Sequence, residues 1–210
     1  MDTTQHDGGP GVLSAEMMAD DPMAQFARWM ADAQARPLPE PTAMVLATVS
    51  EQGRPRARTV LLKDHGPAGF TFYTNRTSRK GHDLAANPRA CVVFPWYPMQ
   101  RQVTAEGPVT QLSQADSEPY YRSRPRGSQL GAWASRQSQV IGSRAELDDR
   151  AAELEQRWAP PATIPMPDFW GGYLLQPETV EFWQAGMYRL HDRLRYRRDG
   201  DDWVIERLSP

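Results

Sequence analysis

The chain has 210 residues and a formal net charge of −2, with 40% hydrophobic and 24% charged residues, as expected for one soluble globular domain. The acidic balance argues against non-specific duplex binding, which favours a basic domain, and a single cysteine excludes an internal disulfide and a cysteine zinc site. Because no apolar run has transmembrane length and no signal-peptide pattern is present, we expect a cytoplasmic protein without membrane or nucleic-acid partners.

The N-terminal segment differs in composition from the rest of the chain. Residues 1–20 are Gly-rich with few large apolar side chains, which predicts a flexible tail, and residues 21–210 are then one domain. The Asp21-Pro22 pair is typical of a helix start. The helix that follows places four large apolar residues on one face at helical spacing, namely Met23, Phe26, Trp29 and Met30.

Short strands dominate the remainder. Helices are expected from Ser78 to about Asn87, from Ser113 to an Arg-rich turn, and from the capping box Ser143–Glu146 to about Trp158, before a Pro-rich linker. Many short strands with inserted helices predict a mainly β fold with added helices, in the form of a barrel. Strands are expected at 43–49, 56–63, 69–74, 90–95, 100–112, 172–175, 180–184, 191–197 and 202–207.

The first candidate site lies in the second and third of these strands and at the start of the helix that begins at Ser78. The only lysines, Lys63 and Lys80, fall within the runs 58–63 and 72–80, although the chain otherwise uses arginine. Ser78 is a favoured N-cap, and backbone N–H groups at a helix start beside Arg79 and Lys80 form an anion site.

The second candidate site is the run from Tyr120 to Ser128, which holds three arginines, two serines and two tyrosines. Pro125 and Gly127 predict a turn between helices rather than a helix. Arginine and serine together suit a phosphate group. A nucleic-acid patch is the competing interpretation, but the basic residues form no single long run, which favours a discrete phosphate pocket.

The third candidate site is the segment 181–193, in which Arg189, His191 and Arg193 follow two aromatic residues. An anionic, aromatic small molecule accounts for this combination. The competing interpretation is a charged edge strand with a satisfied histidine. Cys91 lies in an apolar run and is expected to be a buried thiol, and the four histidines lack metal-ligand spacing, so no metal site is predicted.

From residue 21 to 210 the chain resembles the pyridoxamine 5′-phosphate oxidase family, FMN enzymes that make pyridoxal 5′-phosphate. The resemblance rests on many short motifs in the family's order. These are Asp21-Pro22, Pro41-Thr42-Ala43-Met44, Arg58 to Lys63, Phe72-Tyr73-Thr74-Asn75, Ser78-Arg79-Lys80, Asn87-Pro88, Arg101-Gln102-Val103, Ser123-Arg124-Pro125, Ser135-Arg136-Gln137-Ser138, Phe169-Trp170-Gly171-Gly172, Phe182-Trp183-Gln184 and Arg189-Leu190-His191-Asp192-Arg193.

The resemblance implies a split β-barrel FMN-binding fold and a homodimer with two FMN sites at the subunit interface. It implies substrate binding by Lys63, Tyr120, Arg124 and Ser128, with Arg189 and His191 as catalytic residues over the substrate's pyridine ring. The implied FMN-binding residues are Arg58, Thr59, Val60, Leu61, Leu62, Lys63, Tyr73, Thr74, Arg79, Lys80, Gln102, Gln137, Ser138, Trp183 and Arg193.

The implied reaction is oxidation of pyridoxine or pyridoxamine 5′-phosphate, with hydride passing from C4′ to flavin N5 and dioxygen becoming hydrogen peroxide. Two alternatives stay open. One is a related flavin oxidase of the phenazine-biosynthesis type, although such a substrate needs no phosphate pocket. The other is a protein that binds FMN or pyridoxal phosphate without turnover. The family often carries a basic residue and a tyrosine in its tail as a lid, but residues 1–20 contain no Arg, Lys or Tyr.

Overall fold

The fold is a curled antiparallel sheet with helices packed against it, in a computed structural model that describes residues 11–210. This confirms the predicted mainly β fold with added helices. The helices are α1 (Pro22–Gln34), α2 (Arg79–Ala86), α3 (Gln114–Ser123), α4 (Arg126–Ala134) and α5 (Arg144–Arg157). The strands are β1 (Ala43–Val49), β2 (Pro55–Leu61), β3 (Asp64–Gly66), β4 (Gly69–Asn75), β5 (Arg89–Trp96), β6 (Arg101–Gln111), β7 (Trp170–Leu175), β8 (Thr179–Gln184), β9 (Asp192–Asp199) and β10 (Asp202–Arg207).

The sheet divides at β6. The first part of β6 pairs with β5 and β8, and its last residues, from Val109 to Gln111, pair with β7, which continues to β4. The main path is β10-β9-β8-β6-β5-β1-β2. At the division stands Gly107, where a Cβ atom would lie 2.0 Å from the backbone oxygen of Gln176. Only glycine fits this close approach of two backbones.

The apolar face of α1 packs into the core, as its spacing predicted. The Asp21 carboxylate caps the helix by accepting hydrogen bonds from the backbone N–H groups of Met23 and Ala24. The Phe26 ring is fully buried and lies 4.8 Å, centroid to centroid, from the rings of both Phe70 and Phe94. Removing such a ring typically lowers the free energy of unfolding by about 3–5 kcal/mol, so the packing of α1 stabilises the fold.

The Arg-rich run departs from the sequence prediction. We expected a turn over residues 120–128, whereas α3 continues to Ser123 and α4 begins at Arg126. Gly127 therefore lies in the first turn of a helix, where no intrahelical N–H bond depends on it. Proline precedes that first turn at position 125, a place where its fixed φ and missing donor are tolerated. The turn is limited to residues 124 and 125.

The predicted flexible tail is wrong for residues 11–20; residues 1–10 lie outside the described part of the chain. Leu13 is buried in the core, and its backbone N–H donates to the Asp192 carboxylate at 2.9 Å. The Tyr196 hydroxyl donates to the backbone oxygen of Ala19 at 2.6 Å. Burial of a few apolar side chains and these hydrogen bonds hold the segment on β9, so composition alone was a poor guide to its order.

Two smaller differences concern packing. The strand predicted to reach Lys63 ends at Leu61, and the short β3 was not anticipated. Cys91 is half-buried rather than fully buried, since it lies on the less covered face of β5, and burial raises the pKa of its thiol to about 11. The thiol is therefore protonated at neutral pH.

Candidate functional site

A cavity of about 580 Å³ opens between β2, β4, α2 and the α3–α4 turn. It brings together residues from both of the first two candidate clusters, which are far apart in sequence. Eleven of the predicted site residues line it, namely Thr59, Val60, Leu61, Lys63, Tyr73, Thr74, Lys80, Tyr120, Arg124, Ser128 and Gln137.

Lys80 is the buried cation of this cavity. Ser78 caps α2 as predicted, and the side chain of Lys80 turns inward with only 8% of its surface exposed. Its ammonium donates to Gln137 Oε1 at 2.7 Å, and to the Thr74 and Ser78 hydroxyls at 3.2 and 3.4 Å, all of which are neutral acceptors. Burial, and then the nearby Arg58 charge, lower the pKa of Lys80 to about 8. The site thus has excess positive charge, which suits an anion.

A second depression of about 480 Å³ shares Lys80 and lies at the start of α2. Arg58, Arg79 and Ser138 line it, and the Arg79 backbone N–H donates to the Ser138 hydroxyl at 3.2 Å. One carboxylate, Asp83, approaches this group and forms its shorter ion pair, at 2.6 Å, with Arg56. Cationic side chains at a helix N-terminus form a phosphate-binding arrangement.

Arg124 faces the cavity from the α3–α4 turn. Its guanidinium carbon lies 4.8 Å from the ring centroid of Trp170 and 5.7 Å from that of Tyr121. Its Nη1 atom is buried and has no hydrogen-bond partner among residues 11–210. Burial lowers the pKa of Arg124, and the guanidinium keeps its charge. A half-buried guanidinium without a carboxylate or other acceptor favours an anionic ligand at the part of the side chain that lines the cavity.

Stacked aromatic rings form one wall of the cavity. The ring centroids of Tyr73 and Tyr120 lie 4.1 Å apart with the planes inclined by 27°, and Trp170 stacks on Tyr73 at 5.3 Å. Burial raises the pKa of Tyr73, so its hydroxyl remains protonated at neutral pH. The wall joins the lysine side of the cavity to the arginine side.

The third candidate cluster lies elsewhere on the sheet. Gln102 of β6 pairs in register with Trp183 of β8, and both line a depression of about 390 Å³ that shares no residue with the two others. The His191 ring lies 4.7 Å from Trp183, and its Nδ1 accepts a hydrogen bond from the backbone N–H of Gly186 at 3.2 Å. Within one chain, the third cluster is therefore separate from the cavity that contains Lys80 and Arg124.

Two predicted residues of this cluster differ in their surroundings. Arg193 forms an ion pair with Glu181 at 2.8 Å, which satisfies much of its guanidinium. Arg189 is exposed in a short 3₁₀ turn and has a φ of 64°, in the left-handed region that non-glycine residues rarely adopt. Backbone strain of this kind is characteristic of functional segments.

One predicted contact is not supported by side-chain geometry. The side chain of Leu62 is 4% exposed and belongs to the hydrophobic core, and its backbone N–H donates to Thr42 at 2.9 Å. Since β2 ends at Leu61, the next side chain turns inward rather than towards the cavity. Any part played by Leu62 at this site is confined to its backbone.

Several cavity residues were not singled out from the sequence as site residues. Trp170 was noted only within a family motif, although it forms the aromatic floor under Arg124. Ser135 and Asn75 also line the cavity, and both belong to motifs that carry the family resemblance, which was the available signal. Within residues 11–210 no group of three or more metal-ligating side chains occurs, and no helix there is long and apolar enough to cross a membrane.

Comparison with known proteins yields one consistent family. Residues 30–158 match the family model described as pyridoxamine 5′-phosphate oxidase, and residues 170–210 match the one described as the pyridoxine 5′-phosphate oxidase C-terminal dimerisation region. A Frankia alni protein named pyridoxine/pyridoxamine 5′-phosphate oxidase is 56% identical over 95% of this chain and 85% of its own length. A Salinispora arenicola protein of the same name is 54% identical over 94% of this chain and 90% of its own.

Solved structures support the predicted split β-barrel. The Burkholderia lata protein PhzG, crystallised with tetrahydrophenazine-1-carboxylic acid, is 32% identical with a TM-score of 0.89, covering 97% of this chain and 100% of that one. A Nostoc punctiforme protein described as pyridoxamine 5′-phosphate oxidase-related and FMN-binding shares the fold, with a TM-score of 0.71 at 18% identity and coverage of 94% and 98%.

Proposed function

Because the chain belongs to the pyridoxamine 5′-phosphate oxidase family, we propose that it is an FMN-dependent oxidase that converts pyridoxine 5′-phosphate and pyridoxamine 5′-phosphate to pyridoxal 5′-phosphate. One observation carries this proposal. A single cavity has two separate cationic positions, at Lys80 and at Arg124, and neither position is neutralised by a carboxylate among residues 11–210. Two phosphate groups, one from the cofactor and one from the substrate, match those positions.

The Lys80 side of the cavity fits FMN. Arg58, Arg79, Lys80 and Ser138 suit the FMN phosphate. Gln137 and Thr74 accept hydrogen bonds from the Lys80 ammonium and so hold it in place. When bound, FMN supplies the two-electron chemistry, by taking a hydride from C4′ of the substrate and passing the electrons to dioxygen to give hydrogen peroxide. The protein's part is to bind, orient and polarise.

The Arg124 side of the cavity fits the substrate phosphate. Tyr120 and Ser128 offer hydroxyl groups beside Arg124, and Lys63, between β2 and β3, lines the same cavity. Binding of the phosphate is shared by the ground state and the transition state, so these residues would act mainly on KM. The cytoplasmic location remains a prediction of the sequence.

The protein forms a homodimer, since residues 170–210 are the family's dimerisation region. We propose that the separate cluster of Gln102, Trp183, His191 and Arg193, with Arg189, faces the partner's cavity. Arg189 and His191 would then hold the substrate ring against the flavin. The observation behind this is that the two groups line no common depression within one chain.

Structural similarity supports the phenazine-type alternative, but the chemistry of the cavity does not. The PhzG structure shares the fold, yet its ligand is named as a carboxylic acid without phosphate. An unpartnered Arg124 beside Tyr120 and Ser128 is better explained by a phosphorylated substrate. Only a turnover assay distinguishes the oxidase from a protein that binds FMN or pyridoxal phosphate without turnover.

The test of the function is direct. The purified protein should be yellow with flavin absorbance, and pyridoxine 5′-phosphate added in air should give pyridoxal 5′-phosphate and hydrogen peroxide in equal amounts. Colourless protein that takes up no FMN would contradict the proposal. Flavin binding without aldehyde formation would instead support a carrier protein.

A complementation experiment tests the shared site. Arg124→Ala and Arg189→Ala homodimers should each be nearly inactive at low substrate concentration. After subunit exchange at equal concentrations, half of the dimers are mixed, and each mixed dimer has one intact site if the two residues come from different subunits. Activity should then return to about one quarter of the wild-type level. No recovery in verified mixed dimers would place both residues in one subunit's site.

A further inference from the structure

Arg124 has an unusual environment for a half-buried cation. Among residues 11–210 its side chain forms no ion pair, and its Nη1 atom has no hydrogen-bond partner. The contacts that surround the guanidinium are aromatic faces, those of Trp170 at 4.8 Å and Tyr121 at 5.7 Å. These contacts use none of its N–H groups, so the part of the guanidinium that lines the cavity keeps its donors for a ligand.

An aromatic neighbour orients a guanidinium differently from a carboxylate. A carboxylate occupies the donor fork and competes with any anionic ligand. A tryptophan face attracts the cation through the ring quadrupole and restricts its rotamers while leaving the edge donors free. An arginine held in this way is prepared for a phosphate group before that group arrives, which reduces the entropy lost on binding.

Trp170 is itself firmly held. It is the first residue of β7, pairs in register with Asn75 of β4, and is 6% exposed. Its ring packs against Tyr121 edge-on at 5.2 Å and stacks with Tyr73. On the other side of Arg124, the Gln129 side chain donates to the backbone oxygen of Arg124 at 2.9 Å. The backbone and the guanidinium of Arg124 are thus fixed from two directions.

We propose that Trp170 is a positioning residue that holds Arg124 for the substrate phosphate, and so sets the preference for phosphorylated over unphosphorylated substrates. This rests on the proposed function. The competing explanation is that Trp170 merely fills space at the start of β7. The two differ in which ligand is affected, because lost packing weakens binding of any ligand in the cavity, whereas a misplaced Arg124 weakens only phosphate binding.

The experiment compares competitive inhibition constants of pyridoxal 5′-phosphate and pyridoxal against turnover of pyridoxine 5′-phosphate by the FMN-loaded enzyme. Trp170→Leu should weaken pyridoxal 5′-phosphate about 5- to 30-fold, the equivalent of 1–2 kcal/mol. Pyridoxal should change less than about twofold, and KM should rise with little change in kcat. Trp170→Phe, which keeps an aromatic face, should restore most of the loss.

Two controls sharpen the result. In an Arg124→Ala background, Trp170→Leu should have almost no further effect on pyridoxal 5′-phosphate, since the residues act as a unit. Trp203→Leu removes a similar arginine–tryptophan contact outside the cavity, in which the guanidinium carbon of Arg198 on β9 lies 4.4 Å from the Trp203 ring on β10. This variant should leave the ratio of the inhibition constants for pyridoxal 5′-phosphate and pyridoxal unchanged. If Trp170→Leu does not fold, Trp170→Phe tests the positioning role instead. It should weaken binding of pyridoxal 5′-phosphate about two- to fivefold and leave binding of pyridoxal unchanged.

Equal weakening of both ligands, or an undiminished effect in the Arg124→Ala background, would overturn the positioning role while leaving the oxidase assignment intact. Wild-type enzyme that does not turn over pyridoxine 5′-phosphate would overturn the proposed function, and wild-type enzyme that turns it over without preferring the phosphorylated ligand would overturn the positioning role.

Discussion

The cavity and the β8–β10 part of the sheet both contain arginines, but the groups around the guanidinium differ. On the sheet, Arg195 and Arg197 share Glu206 at 2.6 and 3.1 Å. In the cavity, Arg124 meets aromatic faces and Lys80 meets neutral oxygens. The number of basic residues is thus a poor indicator of ligand binding. What distinguishes a binding cation from a structural one is whether a carboxylate already occupies it.

Arg193 shows the value of this distinction. The family resemblance places it at the flavin, yet within the chain Glu181 holds it in a two-point ion pair. A paired arginine can still contact a ligand with a remaining donor, but it contributes less net charge to the site. We therefore expect the cavity residues to contribute more to phosphate binding than Arg193 does.

The largest expected effect is on stability and comes from residues 11–20, which pack against β9 in the part of the sheet with paired arginines. A chain beginning at residue 21 should unfold at lower denaturant concentration than one beginning at residue 11, with a difference in free energy of roughly 3 kcal/mol, because burial of Leu13 and Met18 is lost. Denaturant titration measures it. The ratio of inhibition constants for pyridoxal 5′-phosphate and pyridoxal should stay the same in both chains, since the segment does not line the cavity. Equal stability would show that residues 11–20 are not held as described.

Removal of the unpaired arginine should act on binding rather than stability. Arg124→Ala should raise KM for pyridoxine 5′-phosphate by about 10- to 100-fold, through loss of a charge-assisted contact of roughly 1.5–3 kcal/mol, with kcat little changed. Steady-state kinetics with thermal melting measures both properties. Arg195→Ala is the matched control from the paired region. A similar rise in KM in both variants would remove the distinction between the two regions.

The sequence predicted more of the elements than of their contacts. Asp21, Ser78 and Ser143 were recognised as N-caps because capping is a local property, and all three side chains accept the expected backbone hydrogen bonds. The sequence does not predict the start of α4, because glycine disfavours a helix interior, whereas Gly127 lies in the first turn, which tolerates it.

The contacts of the site depend on long-range pairing, which a single sequence does not show. Trp170 reaches Arg124 only because β7 pairs with β4, 95 positions earlier at Asn75. Leu62 was assigned to the cofactor with its neighbours, whereas the end of β2 turns its side chain into the core. The packing of residues 11–20 was hidden for the same reason, since Leu13 meets Asp192 from the far end of the chain.

Lys80 gives a pH-dependent prediction. Its pKa is lowered to about 8 in the folded protein without ligand, so it loses its charge above that pH. The dissociation constant for FMN should therefore be flat below pH 8 and rise by up to about tenfold per pH unit above it. Fluorescence titration of the apoprotein measures this, and Lys80→Arg, which stays charged, should abolish the rise. A rise that persists in Lys80→Arg would assign the titration to another group.

The same shift has a defined sign for folding. Between pH 8 and about 10.5 the unfolded chain binds more protons at Lys80 than the folded chain does. The free energy of unfolding of the apoprotein should therefore receive a contribution from Lys80 that increases with pH across this window. Comparison of urea midpoints for wild type and Lys80→Arg at several pH values isolates that contribution.

The smallest effect is expected where arginine is already paired. Arg195→Ala should lower the free energy of unfolding by no more than about 1 kcal/mol, because the Arg195–Glu206 pair is partly exposed and Arg197 remains to bind the carboxylate. Added salt should reduce the difference further. A loss of several kcal/mol would mean that the ladder on β9 and β10 stabilises the fold more than a surface network does.

The most direct test is a crystal structure of the FMN-loaded protein with pyridoxal 5′-phosphate in the active site. We predict that the phosphate of pyridoxal 5′-phosphate accepts a hydrogen bond from the Arg124 guanidinium, that the guanidinium still lies over Trp170, and that the FMN phosphate lies beside Lys80. A phosphate of pyridoxal 5′-phosphate bound by the arginines of β9 and β10, with no hydrogen bond to Arg124, would contradict this prediction.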